Sequence, residues 1–171
     1  MQAQELRGKK RAETIKKSIK DDVALLSKEY GEVPKIVALS LGTDEASFLY
    51  MKHQKKTAEA LGFDHEILQF PDNTTEEAVI ARLEDLNLDP SVSGIIVQMP
   101  MPEQIHMGHV LEHLDPRKDI VGVHANNMGL LLLKKGRLMP CTALAAMELI
   151  ESTDIDLYGA EAVVVGASKI V

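Results

Sequence analysis

Three short strand-like runs, each followed by a segment of helical character, constrain this chain more than any other feature. The runs are KIVALSLG (35–42), HEILQF (65–70) and GIIVQM (94–99). Each is short enough for a buried strand and is closed by glycine or proline. After the first, Asp44 or Thr43 can cap a helix that runs through ASFLYMKHQKK (46–56). After the second, Thr74 or Thr75 can start a helix reaching about Leu86. After the third and the turn PMPE, a short helix is expected from about Ile105 to Leu114. Strands alternating with helices in this order favour a parallel sheet covered by helices. The expected fold class is therefore α/β, a three-layer α/β/α arrangement with a mainly parallel sheet.

The flanking segments extend the pattern. Ala12, Ile15, Ile19, Val23 and Leu26 recur at helical spacing, and Gly31 offers a stop. Residues 115–129 read as a loop, and 141–152 as a helix. The last run, AEAVVVGASKIV (160–171), reads as a strand entering a Gly-x-Ser turn. A strand followed by such a turn is how a dinucleotide-binding βαβ unit often begins. The expectation is thus one domain over residues 1–150, then the first strand of a truncated Rossmann domain over 151–171.

Composition narrows the function classes. The 171 residues carry a formal net charge of −7, so no broad basic field favours nucleic acid. Cys141 is the lone cysteine, which excludes an internal disulfide and a zinc site built on several cysteines. The N-terminal segment lacks the apolar core of a secretory signal, and the leucine run 130–133 is too short to span a bilayer. The expected setting is cytoplasmic, with no membrane and no nucleic acid as partner.

Placed on a helix, Ser47, Tyr50, Gln54, Ala58 and Leu61 share one stripe, while Lys52, Lys55 and Lys56 fall opposite. That stripe should face inward. Its polar groups are either hydrogen-bonded residues of a core helix or the wall of a cleft for a polar ligand. Tyr50 can stack on a flat ring and still use its hydroxyl. Gln98, flanked by Val97 and Met99, lies at the carboxyl end of an expected strand, where open α/β sheets bind ligands. Pro100 and Pro102 stiffen the loop that follows. His106, His109 and His113 share one helical side, but Met107, Val110, Leu111 and Leu114 define the inward one. The histidines then point to solvent, and no metal is expected. His124, Asn126 and Asn127 sit in the 115–129 segment, as loop-borne binding candidates.

Several stretches together resemble the bifunctional methylenetetrahydrofolate dehydrogenase/methenyltetrahydrofolate cyclohydrolase family. They are SLGTDEASFLYMKHQKKTAEALG, GIIVQMPMP, DPRKDIVGVHANNMG, PCTALAAMELI and VVVGASKIV, in this order along nearly the whole chain. The resemblance covers roughly the first half of a family member. It implies oxidation of a methylene folate by NADP or NAD, then hydrolysis of the methenyl product, in a cleft between two domains. It also implies that Tyr50 stacks on the folate and that Gln98 assists acid–base work. The family's catalytic lysine falls at Gln54, and its pterin-gripping aspartate at Val121. Its Gly-Arg-Ser turn to the cofactor phosphates falls at Gly166, Ala167 and Ser168. The family's PCTP is here PCTA, with Ala143. A homodimer is possible in the full-length form, by the same resemblance.

These departures matter chemically. Glutamine cannot shuttle a proton near neutral pH, and positioned acid–base groups contribute about 10²–10⁴-fold. Valine accepts no hydrogen bond from a pterin edge. The expectation is a folate enzyme of one-carbon metabolism impaired in catalysis by Gln54 and Val121. The alternatives are a non-catalytic folate-binding or regulatory partner of an active relative, and a protein for a different flat heterocycle.

Overall fold

A computed structural model describes residues 5–42, 45–153, 155–168 and 170. The expected cap at Thr43 or Asp44 lies outside the described residues. Helix α1 (Lys9–Tyr30) precedes β1 (Lys35–Leu41), α2 (Glu45–Leu61), β2 (Asp64–Phe70), α3 (Glu76–Leu88) and β3 (Val92–Val97). Then follow α4 (Met107–Glu112), α5 (Ala125–Leu132) and α6 (Cys141–Glu151). Gly31 ends α1 with φ 75°, a left-handed turn that costs other residues, and its N–H donates to the Ser27 carbonyl. Thr75 caps α3, its hydroxyl accepting from the Ala78 N–H at 3.3 Å.

The strands form a parallel sheet in the order β2-β1-β3, with the central strand buried from Val37 onward. Lys35 to Leu41 pair with Asp64 to Phe70 on one side, and Ile36 to Leu39 pair with Gly94 to Val97 on the other. Because strand side chains alternate between faces, Val37, Leu39 and Leu41 point together. They pack with Ile95 and Val97 against Val79, Leu83 and Leu86 of α3 and Val110 of α4. The opposite face carries Ile36, Ala38 and Ser40, and there α1 and α2 cover the sheet with buried Val23, Met51 and Ala58. The α/β expectation, with helices on both faces of a parallel sheet, is what the structure has.

Four details differ from the sequence reading. Strand β3 ends at Val97, so Gln98 lies one residue past it, although its N–H still donates to the Leu39 carbonyl at 2.9 Å. The 115–129 segment is not all loop. Helix α5 starts at Ala125, because the His124 ring Nδ1 accepts from the Asn126 N–H at 3.0 Å and caps it. Lys55, part-exposed, is not simply solvated. Its ammonium donates to the His65 carbonyl at 2.7 Å and pairs with Glu59 at 3.4 Å. The 160–168 segment forms no strand: Val163, Val164 and Val165 are 90%, 73% and 97% exposed. A strand needs a neighbour for its backbone hydrogen bonds, and no described strand pairs with it.

His65 is a further feature of the α2 side. It is 1% exposed, and neither ring nitrogen has a partner. Burial first, and then the nearby Lys55 ammonium, hold its pKa below the ordinary imidazole value.

Candidate functional site

A cleft of about 440 Å³ opens at the carboxyl edge of the sheet. Helix α2 supplies one wall with Ser47, Tyr50 and Gln54. The end of β3 and the residues after it supply the floor with Ile96, Val97, Gln98 and Met99. Val121 closes the far side. Every substrate-side residue singled out from the sequence thus meets in one place: Ser47, Tyr50, Gln54, Val97, Gln98, Met99 and Val121. Ile96 is a lining residue that the sequence did not single out. Its signal was a position two residues before Gln98 on an alternating strand.

The expected inward stripe is only partly inward. Ala58 is buried, Gln54 and Ser47 are half-buried, and Tyr50 is 58% exposed. The helix overhangs the sheet edge at its N-terminal half, so the stripe passes from packing to cleft. Met51, one position round, is the fully buried side chain there.

Behind the cleft lies an apolar groove of about 590 Å³. Ile19 of α1, Ile36 of β1, Phe63 and Cys141 border it, and Tyr50 and Gln54 line both spaces. The Gln54 carbonyl oxygen Oε1 is buried and has no hydrogen-bond partner. An orphaned buried acceptor costs about 1–3 kcal/mol, so a partner at this atom would be strongly favoured. Gln98 spends an amide N–H on the Met99 carbonyl at 3.3 Å.

The charge pattern is simple. Among the described residues no Asp, Glu, Lys or Arg lines either the cleft or the groove, and His53 is the one basic side chain bordering the groove. Lys55, beside Gln54 in sequence, is committed to β2 and cannot reach in. Cys141 is held above its ordinary thiol pKa, by burial and then by the charge of Asp119. The Cys141 N–H donates to the Val121 carbonyl at 3.3 Å, which ties the start of α6 to the cleft wall.

Asp119 fixes that wall, and the sequence reading passed over it. It is fully buried, and its side chain accepts from the Gly122 N–H at 3.0 Å, the His124 N–H at 2.8 Å and the Asn127 amide at 2.8 Å. The Asn127 amide also reaches the Pro116 carbonyl at 2.8 Å. Gly122 has φ 76°, and a Cβ there would collide with the Met139 backbone. The Asp-x-x-Gly spacing was the available signal, since a short acidic side chain can hold a turn a few residues on. His124, Asn126 and Asn127 therefore serve as cap and clasp of this turn rather than as free binding groups.

The histidines within and just after α4 face carboxylates. His109 Nδ1 lies 3.0 Å from Glu76, and His113 Nδ1 lies 2.9 Å from Glu84. The His106 N–H and then His109 hold the Glu76 carboxyl below its usual range. Among the described residues no cluster of His, Cys, Asp and Glu is suited to a metal ion. Gly166, Ala167 and Ser168 are exposed, and a Cβ on Gly166 would meet nothing within 4 Å. These residues make no cradle that fits a dinucleotide.

Comparison with known proteins decides the family. The catalytic domain of tetrahydrofolate dehydrogenase/cyclohydrolase matches residues 6–120. The chain belongs to this family. It is 44% identical over its whole length to the bifunctional protein FolD of Staphylococcus carnosus, and covers 60% of that protein. Among solved structures it resembles the bifunctional FolD enzyme of Campylobacter jejuni, with a TM-score of 0.91 at 36% identity over 97% of this chain and 59% of that one. The Trypanosoma brucei methylenetetrahydrofolate dehydrogenase-cyclohydrolase, solved with NADP and an inhibitor, has a TM-score of 0.83 at 31% identity, over 90% and 52%. The chain spans about three-fifths of the length of the curated FolD relatives. No helix among the described residues is long and apolar enough to cross a membrane.

Proposed function

We propose that this chain is the folate-binding part of a methylenetetrahydrofolate dehydrogenase/methenyltetrahydrofolate cyclohydrolase of one-carbon metabolism, with its proton-transfer step impaired. The observation that supports it is the cleft joining Tyr50, Gln54, Gln98 and Val121 from separate segments. Tyr50 offers a ring for stacking, and Gln98 offers an amide at the floor. Gln54 and Val121 stand where the family resemblance implies a lysine and an aspartate. Among the described residues, no His, Cys, Asp, Glu, Lys or Arg lines the cleft, which supports a loss of proton transfer.

In this reading residues 1–150 form the folate domain, and 151–171 begin a nicotinamide-dinucleotide domain. NADP or NAD is the cofactor in this reading, and a homodimer is the expected form. The setting is cytoplasmic.

The test is to assay methylene oxidation and methenyl hydrolysis separately in the full-length protein. Oxidation should persist more than hydrolysis, because it depends on positioning more than on a proton shuttle. Gln54→Lys should raise hydrolysis by about 10²-fold or more. Absence of both activities in folded protein would favour the second reading, a non-catalytic folate-binding partner of an active relative. The lack of an acidic or basic side chain among the described lining residues of the cleft is what supports that reading.

A further inference from the structure

We infer that the cleft selects the cationic, methenyl state of its ligand over neutral states of the same scaffold, and that Gln54 sets this preference. The inference rests on the folate reading above and deepens it. A 5,10-methenyl bridge carries a positive charge delocalised over an N–C–N unit. Such a cation is weakly hydrated, much as a guanidinium is, and tolerates apolar walls better than a compact ammonium does.

The cleft matches that chemistry at several points. Its walls include Ile96, Val97 and Val121, and among the described residues no Lys or Arg lines it or the groove behind, where His53 is the one basic side chain. No lysine or arginine among the described residues stands there to repel positive charge. Tyr50, more than half exposed, lines both spaces and offers the face of an aromatic ring. The Gln54 carbonyl oxygen is an acceptor with no partner. In the unliganded chain that oxygen is covered, but turning the terminal amide gives up no bond to Oε1. The torsion is broad and roughly two-fold, so the turn is soft. Once turned, the negative end of the amide dipole faces the ligand. A lysine at the same position would put a positive charge beside the bridge and reverse the preference. The chain's net charge of −7 adds a long-range field of the same sign, which salt screens.

The experiment compares two probes at the same oxidation level, 5,10-methenyltetrahydrofolate and 5-formyltetrahydrofolate. Adding water to the first and releasing a proton gives the second, and only the first carries the bridge cation. Binding is measured by calorimetry at mildly acidic pH, where the cation persists, at low and high salt. The methenyl form should bind about five-fold or more tighter, within the range of cation–aromatic interactions. Gln54→Met keeps the length and loses the carbonyl, and should bring the ratio toward unity. Gln54→Lys should invert it. Thermal melts confirm that each variant is folded. Equal affinity of the wild type for the two probes would overturn the inference while leaving the folate reading intact. So would a preference that Gln54→Met retains, or one that vanishes at high salt. Failure of both probes to bind would overturn the folate reading and this inference together.

Discussion

Removing the Asp119 side chain tests how the cleft wall is held. In Asp119→Ala the His124 N–H loses its side-chain acceptor at 2.8 Å, within a half-buried turn. A buried donor left without a partner costs about 1–3 kcal/mol. The other two donors lose less. The Gly122 N–H also lies 3.3 Å from the Asp119 backbone carbonyl, and the Asn127 amide keeps Pro116. With the space left by the carboxyl group, the total should be about 2–4 kcal/mol. Asp119→Asn keeps one acceptor and turns an NH₂ toward the remaining donors, so a smaller loss of about 1–2 kcal/mol is expected. Equilibrium urea unfolding measures both, provided the slope is unchanged. A loss below about 0.5 kcal/mol for the alanine variant would refute the claim that this side chain organises the turn.

Further outcomes follow from single sites. His65→Leu should flatten the dependence of stability on pH. The folded His65 pKa is lowered, so its stability contribution is complete above the unfolded value of about 6.5 and falls away as pH drops below it. Comparing unfolding midpoints of wild type and variant between neutral and acidic pH isolates this residue, and parallel curves would exclude the effect. Thr75→Ala should cost about 1 kcal/mol in the same urea assay through loss of the α3 cap. Thr75→Asp should restore most of it. Leu83→Ala, in the core between sheet and α3, should cost about 2–5 kcal/mol.

How far the sequence reached depends on which interactions are local. The strands were legible because 35–41 and 92–97 are apolar runs whose burial on a parallel sheet is close to continuous, while the half-polar edge strand at 65–70 was marked by Pro71 and Asp72 at its end. The cleft was legible because Tyr50 and Gln54 share a helical stripe and Gln98 follows a strand end, both properties of a few adjacent residues. Val121 came from resemblance alone, since nothing local marks a valine as a cleft wall. Helix α5 was missed because Asn126, Asn127 and Gly129 are weak helix formers, and its start depends on a histidine cap. Asp119 was missed because its partners are mostly backbone N–H groups, whose positions exist only once the turn has folded. The 160–168 segment has the composition of a strand, yet β structure is a property of pairs, and no described strand is its partner.

The central claim is that this cleft is a folate site weakened at the ring edge by Val121. The most direct measurement is the affinity of purified wild type and Val121→Asp for tetrahydrofolate, by calorimetry, with thermal melts to confirm folding. A charged acceptor at that position should gain about 1.5–3 kcal/mol, roughly ten-fold or more in affinity. Val121→Asp should therefore bind clearly tighter than a measurable wild type. Equal affinity in the two folded proteins, or no binding to either, would contradict the account.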